Sequence, residues 1–331
     1  MDQFNMITDD IEGIDYFVDL QPETEDFLAT VLSGLSQTQK AIPPKFFYDA
    51  KGSHIFDQIC ETPEYYVTRT EIALLVNIQA EIDALVKPDS VIVEYGCGSS
   101  LKIRALLSAL SSAAGYVAID ISKSHLIATA IEIATEYPDI RVGAICADFA
   151  AELEWPKQAG LAQKGRLAFF PGSTIGNQKP QEAVQLLERV RHMVGDEGNL
   201  LIGVDLKKDF DLLNSAYNDA AGHTADFNLN LLHRMKNELN ADLDISAFAH
   251  NAFYNEELSR MEMHLVSKVP HSIKIDGQTF NFKKGESIHT ENSYKYSKVE
   301  FGNLARKAGF DIVESWCDEN DLFSIHYMKS I

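Results

Sequence analysis

The sequence predicts an α/β protein: a mostly parallel sheet covered on both faces, joined to a second region of mixed α and β character. Three observations predict it. Apolar runs at Ser90–Gly96, Gly115–Asp120, Ile140–Asp148, Gly165–Gly172 and Asn199–Leu206 alternate with helical segments. These runs are apolar throughout rather than at every second residue, so both faces of the sheet are covered. The alternation then breaks after Leu206 and gives way to a long stretch of different pattern.

Taken in order, residues up to about Phe17 read as poorly anchored. "TEDFLATVLSGLSQ" has helical spacing, with Thr24 as its N-cap. "SVIVEYG" is the first strand of the sheet, followed by the helix "LKIRALLSAL" (Leu101–Leu110). "GYVAID" is the second strand, and a helix follows from about His125 to Tyr137. "IRVGAICAD" and "GRLAFFPG" are the third and fourth strands. The next helix, "QEAVQLLERVRHMV", starts after Pro180 and stops at Gly195, a proline at the beginning and a glycine at the end. "NLLIGVDL" is the fifth strand. From Lys207 to about Lys268 the chain reads as mostly helical. "SIKIDGQTFNFKKGE" reads as a hairpin turned at Asp276-Gly277. A last helix, "SKVEFGNLARKAG", leads to "FDIVESWCD" and "LFSIHYMK", which are expected to finish the sheet as a hairpin.

Composition removes several function classes. With 331 residues, 45% of them hydrophobic, the chain can bury a full core and two lobes. No apolar run reaches the roughly 20 residues of a membrane span. The acidic start, with Lys40 as the first basic residue, suits neither a secretory signal nor a transit peptide, so the expected location is the cytoplasm. A net charge of −20 opposes nucleic-acid binding, where each phosphate contact needs a cation. Cys60, Cys97, Cys146 and Cys317 are scattered and suit reduced thiols. The ten histidines show no H-x-H, H-x-x-x-H or H-E-x-x-H spacing, so no metal site is expected.

The strand ends carry the chemistry. In "EYGCGSS", Gly96 and Gly98 let the backbone turn sharply and approach a ligand without Cβ clashes. Asp120 ends the second strand, where an acid suits a ribose diol. Asp148 and Phe149 end the third, where an acid and a ring can hold an adenine. The dinucleotide fingerprint needs a third glycine, but Leu101 stands there, and no G-x-x-x-x-G-K-[ST] loop is present. An E-x-G-x-G turn with two later strand-end acids fits S-adenosylmethionine, which has no pyrophosphate to cradle. The alternative is that Asp120 and Asp148 merely cap the turns that follow them.

Longer motifs carry a resemblance. "PPKFFYDAKGSHIFDQICETPEYYVTRTE", "VEYGCGSSLKIRALL", "FPGSTIGN", "AYNDAAGHTADFNLNLL" and "SRMEMHL" are similar to the histidine Nα-methyltransferases of ergothioneine biosynthesis, from about Leu35 to the C-terminus. The wider family includes fungal enzymes that N-methylate an indole amino acid. The resemblance implies a Rossmann-like class I methyltransferase domain with a second, mixed α+β substrate domain. The expected boundaries are 70–206 with 296–331 for the first and 18–69 with 207–295 for the second. It implies S-adenosylmethionine as methyl donor and trimethylation of the α-amine of histidine to hercynine. Matched motifs place Tyr48, Gly96, Lys102, Asp120, Asp148 and Phe149 on the donor, with Gly98 beside them in the glycine turn. Tyr65, Gly172, Asn177, Tyr217, Met263, Glu291 and Ser293 are expected on histidine.

Tyr48, Gly172 and Asn177 are the residues expected at the reacting amine. Glycines in "PGSTIGN" let main-chain carbonyls come close to it, and Asn177 offers both donor and acceptors. The alternative for Asn177 is an ordinary cap near Pro180. Tyr48 and Phe149, if they face the amine, offer cation–π contact to the growing cation. Glu291 and Ser293, two apart in a strand, share one face and are expected to read the imidazole. His289 is expected to have no role. The expected partner is a small-molecule substrate, histidine, for a chain acting as a monomer without nucleic acid or membrane. Two other readings remain: the same fold acting on another amino acid, and a non-catalytic subunit that binds the donor.

Overall fold

The computed structural model describes residues 11–20, 27–98, 100–155 and 165–331. Thr24, the expected N-cap, lies outside them. The first half of the chain runs β1 (Tyr16–Asp19), α1 (Phe27–Leu35), β2 (Lys40–Ala41), α2 (Ala50–Glu61), α3 (Tyr66–Asn77), α4 (Gln79–Leu85), β3 (Ser90–Tyr95), α5 (Leu101–Ala109), β4 (Ala113–Asp120), α6 (Lys123–Glu136), β5 (Arg141–Cys146) and β6 (Arg166–Phe170). The second half runs α7 (Pro180–Val194), β7 (Asn199–Asp205), α8 (Phe210–Ala216), α9 (His223–Glu238), β8 (Phe248–Asn255), β9 (Arg260–Ser267), β10 (His271–Ile275), β11 (Gln278–Phe282), β12 (Ser287–Tyr294), α10 (Lys298–Lys307), β13 (Phe310–Cys317) and β14 (Phe323–Ser330). Two compact units result: Met1–Pro22, Val67–Lys207 and Tyr296–Ile331 form one, Glu23–Tyr66 and Lys208–Lys295 the other.

The first unit is a Rossmann-like sheet in the order β1-β5-β4-β3-β6-β7-β14-β13. All neighbours from β1 to β7 are parallel, and β14 and β13 close the edge antiparallel. Val91, Ile92 and Val93 are buried on both sides of the central strand, as a doubly covered sheet requires. Helix α7 covers it with Ala183, Leu186, Leu187, Val190 and Val194, a stripe at helical spacing. Pro180 opens α7 and Gly195, at φ 81°, closes it. In α10, Ser297 Oγ accepts from the Glu300 amide and the Glu300 carboxylate accepts from the Ser297 amide, a reciprocal cap.

The reading of the N-terminus is corrected from Tyr16 onward. Tyr16–Asp19 pairs in parallel with β5, and Phe17 and Val18 are fully buried. The Asp15 carboxylate accepts from the Val142 amide at 2.7 Å, anchoring the strand's start. Gly143 leaves room for the Tyr16 ring; a Cβ there would lie 2.1 Å from it.

The second unit holds α1, α2, α8 and α9 with a four-stranded sheet ordered β2-β12-β9-β8 and the hairpin β10-β11. The hairpin turns at Asp276 (φ 47°) and Gly277 (φ 73°), the positive dihedrals of a two-residue turn that matches strand twist. The expected helical stretch to Lys268 is corrected: helix ends with α9, and β8 and β9 occupy the rest. Strand β9 buries the polar Glu262 and His264 between Met261, Met263 and Leu265, which hides its alternation in the sequence. A bulge lies in β12 between His289 and Glu291. Bulges re-aim side chains at sheet sites.

Candidate active site

In the first unit, the turn after β3 lies at the point where strand order reverses, with β4 on one side and β6 on the other. Gly96 (φ 78°) and Gly98 (φ 22°) both have positive φ. A Cβ on Gly96 would meet the Phe149 ring at 3.6 Å, so a bare backbone keeps space in front of that ring. Phe149 itself packs edge-on against Tyr95 and Phe170. Asp120 Oδ2 accepts from the Cys97 amide at 3.1 Å, and Oδ1 accepts from the Ser122 amide at 2.8 Å. Burial raises the Asp120 carboxyl above its ordinary range, and these N–H donors oppose the rise. His125, on α6, meets the Gly98 carbonyl at 2.7 Å. Asp148 Oδ1 accepts from the Ala150 amide at 2.8 Å.

One acid links the remaining predicted residues of this unit. Glu71, on α3 and 1% exposed, pairs with the Lys102 ammonium at 2.7 Å. Its two carboxylate oxygens also accept from the Gly172 amide at 3.0 and 2.9 Å. Gly172 has φ 79°, and a Cβ there would lie 3.1 Å from Lys102 Nζ. Gly203 clears the other side, since its Cβ would fall 2.1 Å from Glu71 Oε1. The loop continues through Ser173, whose Oγ accepts from the Asp205 amide, into a short 3-10 turn ending at Asn177, which is half-buried. Sequence reasoning missed Glu71; an acid inside a helical motif carries no periodic signal of its own.

In the second unit, Tyr48 follows a 3-10 turn at Pro44–Phe47 and stands edge-on to Phe56 and Phe227. Tyr48 and Phe149 therefore belong to separate aromatic clusters. Tyr65 is edge-on to Phe56 and to Tyr217, and burial raises its phenol far above the usual range. Glu291 and Ser293 both lie on β12 beyond the bulge, Glu291 opposite Met263 of β9 and Ser293 opposite Met261. Burial pushes the Glu291 carboxyl up to about 7, against the opposing charge of Lys295. Lys295 is the residue that sequence reasoning missed here. It is 2% exposed, and its ammonium donates to the Tyr217 hydroxyl at 3.1 Å and the Ser293 hydroxyl at 2.9 Å. The signal was present: Glu291, Ser293 and Lys295 repeat at two-residue spacing.

Behind the bulge, His289 stacks on His264 at 4.6 Å with ring planes 11° apart, and its Nε2 meets the Glu291 carbonyl. His264 contacts the Glu262 carboxylate at 3.0 Å, and Arg260 pairs with the same carboxylate at 2.7 Å. Parallel rings send their in-plane lone pairs into separate planes, and a guanidinium already holds the acid. Ligand atoms of Glu262, His264 and His289 lie within 4.8 Å of one another, a grouping the histidine spacing did not lead one to expect, and each already has a hydrogen-bond or ion-pair partner.

A reversed-order parallel sheet, a positive-φ glycine turn and acids at successive strand ends define an S-adenosylmethionine-dependent methyltransferase of the Rossmann-like class. The chain belongs to the family of histidine-specific, S-adenosylmethionine-dependent methyltransferases, whose model matches residues 27–330. It is 39% identical over 300 residues to the histidine N-alpha-methyltransferase of Mycobacterium tuberculosis, covering 89% of this chain and 92% of that one. The protein of the same name from Mycolicibacterium smegmatis is 38% identical over 293 residues, covering 87% of this chain and 90% of its own. Ergothioneine biosynthesis protein 1 of Neurospora crassa is 28% identical over 300 residues, covering 87% of this chain and 33% of that protein. Among the described residues, no helix is long and apolar enough to cross a membrane.

Proposed function

We propose that this chain trimethylates the α-amine of L-histidine to the betaine hercynine, a step of ergothioneine biosynthesis. The observation that carries the reading is the polar set of half-buried Glu291 and buried Ser293 on β12 with buried Lys295 just past the strand's end, in a family of histidine-specific enzymes. The Glu291 carboxylate, half-buried and facing the charge of Lys295, has acceptor capacity to spare, and an imidazole N–H uses it.

S-adenosylmethionine, when bound, supplies an electrophilic methyl on a sulfonium. The residues present fit it: Gly96 and Gly98 leave bare backbone beside Phe149, and Asp120 presents a half-buried carboxylate. In this reading Asp120 accepts from the ribose hydroxyls, and Asp148 with Phe149 holds the adenine. Lys102, steadied by Glu71, takes the donor's carboxylate; an ammonium has three N–H donors, so one pairing leaves others to give. Tyr65, Tyr217, Met263, Glu291 and Ser293 bind histidine. Gly172, Asn177 and Tyr48 orient the α-amine, which ionises at about 8 or above when free and must react as the neutral form. Because methyl transfer from a sulfonium disperses charge, rate comes from alignment rather than from an oxyanion hole. We assign the protein to the cytoplasm as a monomer, its charge of −20 opposing nucleic-acid contact.

The test is incubation with L-histidine and the methyl donor, followed by mass-spectrometric counting of methyls. The expected product carries three. If histidine is left intact while an indole amino acid is methylated, the substrate assignment is wrong.

A further inference from the structure

Lys295 is the buried cation to which the reading above gives no task. Removing an ammonium from water costs several kcal/mol unless neighbours compensate. Here compensation comes from two hydroxyl oxygens, those of Tyr217 and Ser293, and from the Glu291 carboxyl four residues earlier on β12. The Tyr217 ring also lies under the ammonium, 5.1 Å from its centroid.

An ammonium donates and never accepts. The Ser293 hydroxyl, receiving from it, has its own hydrogen left to point elsewhere. We propose that Lys295 is a positioning residue that fixes the hydrogen-bond polarity of the substrate pocket: it makes Ser293 a donor toward the ligand and leaves Glu291 as the acceptor. This deepens the histidine reading and rests on it.

The consequence is a rule for the ring that fits. Ser293 as donor needs a ring nitrogen with a free lone pair, and Glu291 as acceptor needs a ring N–H. A neutral azole with one nitrogen of each kind meets both demands. An imidazolium has two N–H groups and adds a cation near a buried ammonium. A pyrrole or indole has the N–H and lacks the lone pair, so the Ser293 hydrogen loses its partner. A site built around a hydrogen bond rejects an analogue lacking it far more strongly than an apolar pocket rejects a misfit.

The experiment compares histidine with β-(pyrrolyl)alanine, which keeps the N–H and lacks the lone pair, in wild type and in Lys295→Met. Wild type is expected to favour histidine by at least about a hundredfold in kcat/KM. In Lys295→Met the Ser293 hydroxyl is free to turn, so that ratio is expected to fall about tenfold. The KM for histidine should rise while kcat falls less. Binding of S-adenosylhomocysteine, followed by calorimetry, is expected to be unchanged and reports that the variant is folded. A purely structural lysine would lower activity toward both rings together and leave the ratio unmoved, which overturns the proposal. If Lys295→Met does not fold, Lys295→Gln replaces it, since an amide can donate or accept and leaves the polarity unfixed; the same fall in ratio is expected. Should neither variant fold, wild type decides: equal turnover of β-(pyrrolyl)alanine and histidine overturns the proposal, and strong rejection supports it. Failure of wild type to methylate histidine at all, with donor binding intact, instead sinks the substrate reading on which the proposal stands.

Discussion

Glu71 meets three demands at once: it neutralises Lys102, receives the Gly172 amide and fits against the bare Cα of Gly203. Replacing it by glutamine keeps the shape and removes the charge. The Lys102 ammonium, 12% exposed, then stands beside a neutral amide. Breaking a buried pair from one side costs about 3–5 kcal/mol, and partial exposure of the lysine puts this case at the lower end, about 3 kcal/mol. Glu71→Gln is therefore expected to lower the unfolding free energy from urea titration by that amount and to weaken S-adenosylhomocysteine binding about tenfold in calorimetry. Unchanged donor affinity would separate Glu71 from the cofactor site. Glu291 gives a second expectation. Its carboxyl, raised to about 7 by burial, is ionised above that pH and protonated below it. The protonated form loses acceptor strength for the imidazole N–H. The KM for histidine should rise as pH falls through about 7, with a further rise near 6.5 as free histidine itself becomes charged. Glu291→Gln should remove the first component and leave the second, as initial rates across the range would show.

At the level of elements, β1 shows what a short strand requires. Four residues hold the outer edge of the parallel run, and the Tyr16 ring needs the space over Gly143. Gly143→Ala forces a Cβ into that ring. An overpacked site of this kind costs about 1–3 kcal/mol. Hydrogen exchange should show earlier opening of the Phe17 and Val18 amides, with the central strands β3 and β4 still protected; uniform protection would mean β1 is not held by this contact. The strand was not legible in the sequence because four residues carry too little pattern to separate from a tail. The central strands were legible for the opposite reason, since six to eight apolar residues between turn signals have few other fates. The 276–277 hairpin is local chemistry and reads directly. Strand β9 was hidden because Glu262 and His264 are polar residues buried within it, paired with each other and with Arg260 and, across the sheet, with Ser287, which breaks the apolar alternation. Among site residues, glycines and acids at strand ends were legible from topology. Glu71 was not, because its partners Lys102 and Gly172 are distant in sequence, and Lys295 showed only as a two-residue spacing after Ser293, its partner Tyr217 being distant.

For the whole molecule, the buried carboxyl of Glu94 ties stability to pH. It lies on the central strand, 1% exposed, and receives the Tyr116 hydroxyl at 2.6 Å. Burial pushes it up to about 8, against the opposing effects of that hydrogen bond and of Lys102. In the unfolded chain the same carboxyl ionises near 4.5. Between those two values the folded protein holds a proton that the unfolded chain has released, so the contribution to stability falls as pH rises. It is complete below about 4.5 and lost progressively on the way to 8. The acidic surface works in the same direction, because a net charge of −20 near neutrality repels itself more in the compact state. Glu262 and Asp219, whose carboxyls are held below their ordinary range, oppose this at the acid end. Glu94→Gln isolates one of these contributions, since an amide keeps an acceptor for Tyr116 and does not titrate. The difference in unfolding free energy between variant and wild type should shift in the variant's favour by a few kcal/mol from about pH 5 to about pH 8, measured by urea titration at fixed ionic strength. A difference that stays constant across that range would mean Glu94 is ionised in the folded protein, with Lys102 close enough to hold its charge.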